Sequence, residues 1–227
     1  MGINPIINYW FNGNKKDERW YNDNLLHRVD GPAIIEYRES GKIEKEQWYI
    51  DGVRHRKDGP SSIWLYESGT KEREYWHRDG IRNRKDGPSL ILYYRSGKIQ
   101  TESWFLDNEL HRVDNPAVIW YSILGKVERE EWFIRGHHHR IDGPSTITYH
   151  DTGTMGEEHW YNDNQYHRID GPAVIWYHSS GKIYGERWYL NGKESDHKGW
   201  IVSNNLKGKN YNTWTDAEKV LWKLSWT

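Results

Sequence analysis

Apolar and polar positions along this chain return with a period of 28 residues. Trp20, Trp48, Trp76, Trp104, Trp132, Trp160 and Trp188 are spaced by 28 every time. A Glu stands two residues before each: Glu18, Glu46, Glu74, Glu102, Glu130, Glu158 and Glu186. Eight residues after the first six stands an Arg: Arg28, Arg56, Arg84, Arg112, Arg140 and Arg168. An Asp comes two residues later, followed by Gly-Pro in every unit except Asn115-Pro116. Ile35, Ile63, Ile91, Ile119, Ile147 and Ile175 hold one fixed offset, and Gly41, Gly69, Gly97, Gly125, Gly153 and Gly181 another. No insertion breaks this register between Trp20 and Trp188. Such a period marks a repeat architecture, because a unit this short cannot offset its ordering entropy alone and must rest on its neighbours.

Each period reads as two strands, about Ala33 to Arg38 and Ile43 to Ile50, joined by a turn at Glu39-Ser40-Gly41-Lys42. The lengths and the β-branched and aromatic content suit strands, and no 3.6-residue periodicity appears. A longer connection, Asp51 to Pro60, returns the chain to the next unit. With residues 39–42 as the turn, Arg38 pairs with Ile43, Tyr37 with Glu44, Ile35 with Glu46 and Ala33 with Trp48. This register puts the recurring positions on one face, and a slip of one residue would split them. Small Ala or Ser opposite Trp leaves room for the indole. The other face carries what varies: Glu36, Trp64, Leu92, Trp120, Thr148 and Trp176 at one site, and Tyr21, Tyr49, His77, Phe105, Phe133, Tyr161 and Tyr189 at another. Trp64, Trp120, Trp176, Tyr49, Phe105 and Phe133 are the candidate binding residues.

The expected fold is all-β: an elongated, twisted antiparallel sheet of tandem hairpins over residues 1–192. It comprises a partial first unit, six full units and the start of a seventh, the pattern stopping around Asn191-Gly192. A parallel β-solenoid is the competing architecture. Residues 193–227 read as a C-terminal cap. There Thr215-Asp216-Ala217-Glu218 forms a capping-box pattern, and Ala217, Val220, Leu221 and Leu224 share one helical face. A short helix over about 215–225 is expected to cover the last strand.

Composition sharpens this picture. Only 35% of the 227 residues are hydrophobic, yet there are 15 Trp and 16 Tyr against 3 Phe. Rings that bury a face and hydrogen-bond at an edge suit thin, half-wet layers. The net charge of −1 leaves no general field for phosphate backbones, so generic nucleic-acid binding is not expected. With no Cys there is neither a disulfide framework nor a thiolate metal site. No charged region followed by an apolar run opens the chain, and no stretch approaches a membrane span. An intracellular protein is expected, with peripheral membrane contact, a protein partner and oligomerisation left open.

His-Arg-x-Asp-Gly-Pro resembles a catalytic signature, but an active site is built once and this cluster occurs six times, with Asn83 replacing His in one copy. The structural reading is that Asp accepts backbone N–H groups, Gly supplies a positive φ and Pro sets φ for the next strand. Repetition argues equally against paired carboxylates for glycoside hydrolysis. The seven ladder Trp, Glu46, Glu74, Glu102 and Glu130, and Arg56, Arg84, Arg112 and Arg140 are expected to form a structural ladder, each Arg pairing with a Glu beside the indole. His137-His138-His139 lacks further ligands at metal spacing, so no metal and no cofactor is implied.

Units such as Trp-Tyr-Asn-Asp-Asn-Leu-Leu-His-Arg-Val-Asp-Gly-Pro-Ala (20–33) resemble a divergent class of MORN-type repeats, as found in large DNA viruses, phages and some bacteria. The resemblance covers about residues 1–192 and implies side-by-side hairpins acting as a scaffold or binding surface. The units here are longer than the usual MORN repeat and poorer in Gly. The expected function is a non-enzymatic repeat scaffold or protein-interaction module, in a viral setting a virion component. The alternative is a lectin-like surface, in which Trp64, Trp120 and Trp176 stack on sugar rings.

Overall fold

The computed structural model describes residues 5–195, which divide into two compact units, Met1–Lys126 and Val127–Thr227. The division falls inside the repeat array, in the turn after Val118–Tyr121. The expected helix at 215–225 lies outside the described residues. All regular elements among the described residues are strands.

In the first unit the sheet strands follow one another in chain order: Ile6–Tyr9, Lys15–Arg19, Ile34–Tyr37, Ile43–Gln47, Ser62–Leu65, Lys71–Tyr75, Leu90–Tyr93, Ile99–Ser103 and Val118–Tyr121. The second unit continues the alternation with Val127–Glu131, Thr146–Tyr149, Met155–His159, Val174–Tyr177, Ile183–Leu190 and Lys193–Ser195. Neighbours are antiparallel both within a repeat and between repeats, as at Ile35↔Glu46 and Glu46↔Ile63. That pattern rules out the parallel solenoid.

The register is the expected one at Ile35–Glu46 but not at the turn. The N–H of Gly41 donates to Arg38 O (2.9 Å) and that of Arg38 to Lys42 O (2.9 Å), so the loop is three residues long. Gly41 sits at φ 81, the left-handed position such a loop needs. Tyr37 therefore pairs with Ile43 rather than Glu44, and a bulge at Glu44 restores Glu36↔Lys45. The same bulge recurs in the hairpins that follow Leu92, Thr148 and Trp176. The expected Ala33–Trp48 pair is also replaced. The N–H of Trp20 donates to Ala33 O, and that of Trp48 to Ser61 O, both at 2.9 Å. Each small residue thus serves the preceding indole. Ala33, Ser61, Ser89 and Ala117 are fully buried in the first unit, as is Ala173 in the second.

The connection from Asp51 to Pro60 is not a plain return. Tyr49–Ile50 and Val53–Arg54 form a second, smaller hairpin, closed by Asp51 (φ 47) and Gly52 (φ 79). Both central residues in the left-handed region make this the turn type that matches strand twist. Equivalent hairpins follow Trp20, Trp76, Trp104, Trp132 and Trp160. In the seventh repeat Asn191 and Gly192 form this same turn, and Trp188 pairs with Ser195. The small hairpin therefore recurs in the seventh unit, with strand pairing described as far as residue 195. Successive small hairpins are joined by backbone bonds, Gly52 N–H to Leu26 O (2.8 Å) and Gly80 N–H to Arg54 O (2.9 Å).

One rung shows how little side-chain identity this frame demands. The carbonyls of Tyr37, Leu65, Tyr93, Tyr121 and Tyr177 each accept a bond from the side chain 27 residues earlier: Trp10, Arg38, Tyr66, Tyr94 and His150. Four side-chain types, indole, guanidinium, phenol and imidazole, fill a single role.

Candidate functional site

The recurring face is built around the indoles. The guanidinium of Arg28 lies 4.0 Å from the ring of Trp20, Arg56 3.9 Å from Trp48, Arg84 3.7 Å from Trp76 and Arg112 3.9 Å from Trp104. In the second unit Arg140 stacks on Trp132 and Arg168 on Trp160, at 4.0 and 3.7 Å. Each of these Arg also donates from Nη1 to the Pro carbonyl four residues on, at 3.1 to 3.3 Å. The partners differ from the expected ladder: Arg takes the indole face and a backbone carbonyl, and the Glu finds another donor. A flat cation over an indole satisfies its charge and its apolar plane together.

This stacking explains the motif glycine differently from the sequence reading. Gly31, Gly59, Gly87, Gly143 and Gly171 do not have positive φ. A Cβ on Gly59 or Gly87 would stand 2.8 Å from the Cζ of Arg56 or Arg84, so glycine clears the guanidinium. Where Asn115 replaces it, the preceding Asp114 moves to φ 62.

The carboxylates lie between isoleucines: Glu74 pairs with Ile63 on one side and Ile91 on the other. Their donor is a tyrosine hydroxyl 19 residues on. Tyr37 donates to Glu18 (2.8 Å), Tyr93 to Glu74 (2.9 Å), Tyr121 to Glu102 (2.7 Å), Tyr149 to Glu130 (2.6 Å) and Tyr177 to Glu158 (3.0 Å). Burial and the carboxylate push the Tyr37 and Tyr177 hydroxyls up to about 12. Leu65 interrupts the series and has no hydroxyl for Glu46. Burial pushes the Glu46 carboxyl up, against the field of Arg56. At Glu18 burial acts the same way but is outweighed by hydrogen bonds from Lys15 and Tyr37, and its pKa falls.

On the variable face the candidate residues are not freely exposed. Trp64, Trp120, Trp176, Tyr49 and Phe105 are half-buried. Arg73 lies 4.7 Å over the Trp64 ring, with Tyr75 edge-on at 5.2 Å. Trp176 lies over Gly185, where a Cβ would stand 3.0 Å from the indole. Arg54 Nε donates to the Tyr49 hydroxyl (3.0 Å), and Arg82 covers Phe105 at 4.5 Å. Phe133 is only 7% exposed and packs 4.0 Å from His138, so it is a core residue rather than a binding residue. The small hairpins fold these side chains inward, which the alternation pattern alone did not reveal. Burial, with Arg54 and Arg82 nearby, lowers His77 to about 4. Burial, with Arg129 and His159, lowers His138 to about 4 as well.

A second surface was not read from the sequence. Each Asp-Gly-Pro loop stands beside the next Trp, leaving shallow cavities between consecutive repeats. One of about 610 Å³ in the first unit lies between Asp30 and Trp48, and one of about 590 Å³ in the second between Ile141 and Trp160. The loops are pinned by His27 Nδ1 to Asp51 (2.7 Å) and His55 Nδ1 to Asp79 (2.9 Å). The Asp-Gly and Asp-Asn turns after Trp20, Trp48, Trp76, Trp104 and Trp160 were the available signal for the hairpins that build these walls. His137 and His138 both meet Asn164, and among the described residues no group of His, Asp and Glu is placed to hold a metal.

No family model matches the chain, and no curated protein matches it by sequence. Solved structures give distant likenesses. Alternansucrase in complex with isomaltononaose is 12% identical, with 86% of this chain and 16% of that one covered and a TM-score of 0.20. A structure described as TcdB2-TccC3-TEV is 13% identical, with 95% of this chain and 15% of that one covered and a TM-score of 0.16. This chain is similar to a small part of each, at a level that carries no argument about function.

Proposed function

We propose that this chain is a non-enzymatic repeat scaffold that binds protein through the variable face of its sheet. One observation carries the reading. Along paired strands the Ile–Glu row repeats without change, while the adjacent row runs Glu36, Lys45, Trp64, Arg73, Leu92, Thr101 and Trp120. A fixed row holds the frame and a changing row meets a partner, as in other repeat proteins. Half-buried Trp beside Arg is the composition of an interface anchor. Such a scaffold works inside a cell, or within the virion in a viral setting.

The test is a native pull-down with the full chain against Trp64→Ser/Trp176→Ser. A specific protein retained by the wild type and lost with the double variant, at unchanged melting temperature, supports the reading. No retained protein, or retention indifferent to both substitutions, overturns it. An oligosaccharide signal abolished by the same pair would assign the face to sugar stacking instead.

A further inference from the structure

The groove on the loop side differs in charge from one repeat to the next. Directly after each stacking Arg stand Val29, Lys57, Lys85, Val113, Ile141 and Ile169. Two residues after each Trp stand Asn22, Ile50, Arg78, Leu106, Ile134 and Asn162. The unit opened by Trp76 alone has cations at both places. They converge there on a cavity of about 180 Å³, lined by Arg56, Arg78, Arg84 and Lys85 against one carboxylate, Asp86. A neighbouring opening of about 740 Å³ shares Arg78, Arg84 and Lys85 and adds Arg112, again with Asp86 as its carboxylate. Nearby Asp79 is engaged by His55. Arg78 and Lys85 are exposed. In a chain of net charge −1 this is a local excess of cations over carboxylates in the lining.

We propose that this groove docks an acidic, extended peptide segment of a protein partner. The groove borders the variable face at His77 and Phe105, but Trp64, Trp120 and Trp176 are not among its lining residues, so the proposal stands or falls without the reading tested on those indoles. Charge complementarity favours an anion, and the surroundings select the peptide. The indoles below are already covered by Arg56, Arg84 and Arg112, leaving no open platform for base stacking. The excess of cations is local: in the preceding cavity Arg28, Arg56 and Lys57 are met by two carboxylates, Asp30 and Asp58, beside Val29 and Pro32, and Leu106 stands at the other side. A phosphate backbone needs a continuing row of cations. A short acidic peptide matches a basic centre whose charge is balanced by carboxylates one repeat away. Two strands per repeat give a spacing of about 9.6 Å. Three residues of polyproline-II chain span about 9.3 Å and return to the same side. Acidic side chains at every third position therefore meet successive repeats.

The experiment is fluorescence anisotropy with the full chain and a labelled peptide carrying Glu at every third position between prolines, beside its Lys counterpart. Saturable binding of the Glu peptide is expected, weakening with salt as surface charge pairs do. Arg78→Glu/Lys85→Glu should weaken it by about tenfold or more, whereas Lys98→Glu/Lys182→Glu, the same change elsewhere, should not. If the first variant loses its native circular dichroism, Arg78→Gln/Lys85→Gln replaces it, with a smaller loss in the same direction. No binding, equal binding of the Lys peptide, or equal loss with the control pair overturns the proposal. So does tighter binding of a single-stranded oligonucleotide, or complete displacement by inorganic phosphate.

Discussion

In the Met1–Lys126 unit two of the small hairpins carry guanidinium groups, Arg54 and Arg82, where the other two carry Leu26 and Leu110. Arg82 lies 5.1 Å from the Tyr75 ring and 4.5 Å from Phe105, and Arg54 bonds Tyr49. In the Val127–Thr227 unit the same positions stack ring on ring. Phe133 meets His138 at 4.0 Å, His138 meets Tyr161 at 4.8 Å, Tyr161 meets Tyr166 at 4.5 Å and Tyr166 meets Tyr189 at 5.0 Å. The backbone bonds and left-handed turns are shared; the filling is not. Arg54, Arg82, His138 and Tyr166 share a flat group, since a guanidinium and an aromatic ring both fit the gap between layered hairpins, and Leu26 and Leu110 fill the same position without one. The frame therefore leaves the charge at this position free to vary.

The largest expected effect sets the two fillings against each other. Phe133→Ala removes a buried ring from the stack and should cost about 3–5 kcal/mol in urea denaturation. Phe105→Ala, half-buried under Arg82, should cost about half as much. Equal losses would break the distinction between the two regions.

Acid should act on both fillings through their histidines. His77 and His138 are lowered from an ordinary 6.5 to about 4. The unfolded chain takes up these protons first, so stability should fall as pH drops from about 6.5 towards about 4. Melting curves across that window test it, and His138→Phe should remove part of the fall while keeping a ring in the stack. A flat profile would contradict the burial of both imidazoles.

The smallest effect concerns the recurring face, as the reference for the other two. Leu65→Tyr supplies the hydroxyl that Glu46 lacks and should stabilise by about 1 kcal/mol near neutral pH. Because burial raises the Glu46 pKa, the wild type is penalised above it and relieved as pH falls through it towards the ordinary 4.5. In the variant that relief should shrink, measured as a difference between the two pH–melting profiles.

Much of the frame was legible in the residues. Period, strand pairs and the Ile35–Glu46 register follow from recurrence and alternation. The turn at Arg38–Lys42 misled by one residue because a shorter loop and a bulge cancel, leaving the far pairs unaltered. The small hairpins were signalled by Asp-Gly and Asp-Asn but hidden inside what looked like a return loop. Recurring Glu and Arg of opposite sign suggested partners, yet sign alone does not say which group lies nearer: an indole and a hydroxyl took those places. Variation marked the candidate face, but burial of Phe133 depends on a hairpin folding over it, which alternation along one strand does not encode.

The rung that joins each turn to the next has a consequence for how the chain folds. Its donors and acceptors lie 27 residues apart, and the Tyr–Glu bonds span 19. Sheets often fold slowly because their strands must find distant partners, but here each strand's partner is the sheet strand next along the chain. Loop closure stays short however many repeats are added. A nascent chain can therefore dock each repeat on the one before it as it is synthesised, without waiting for its far end.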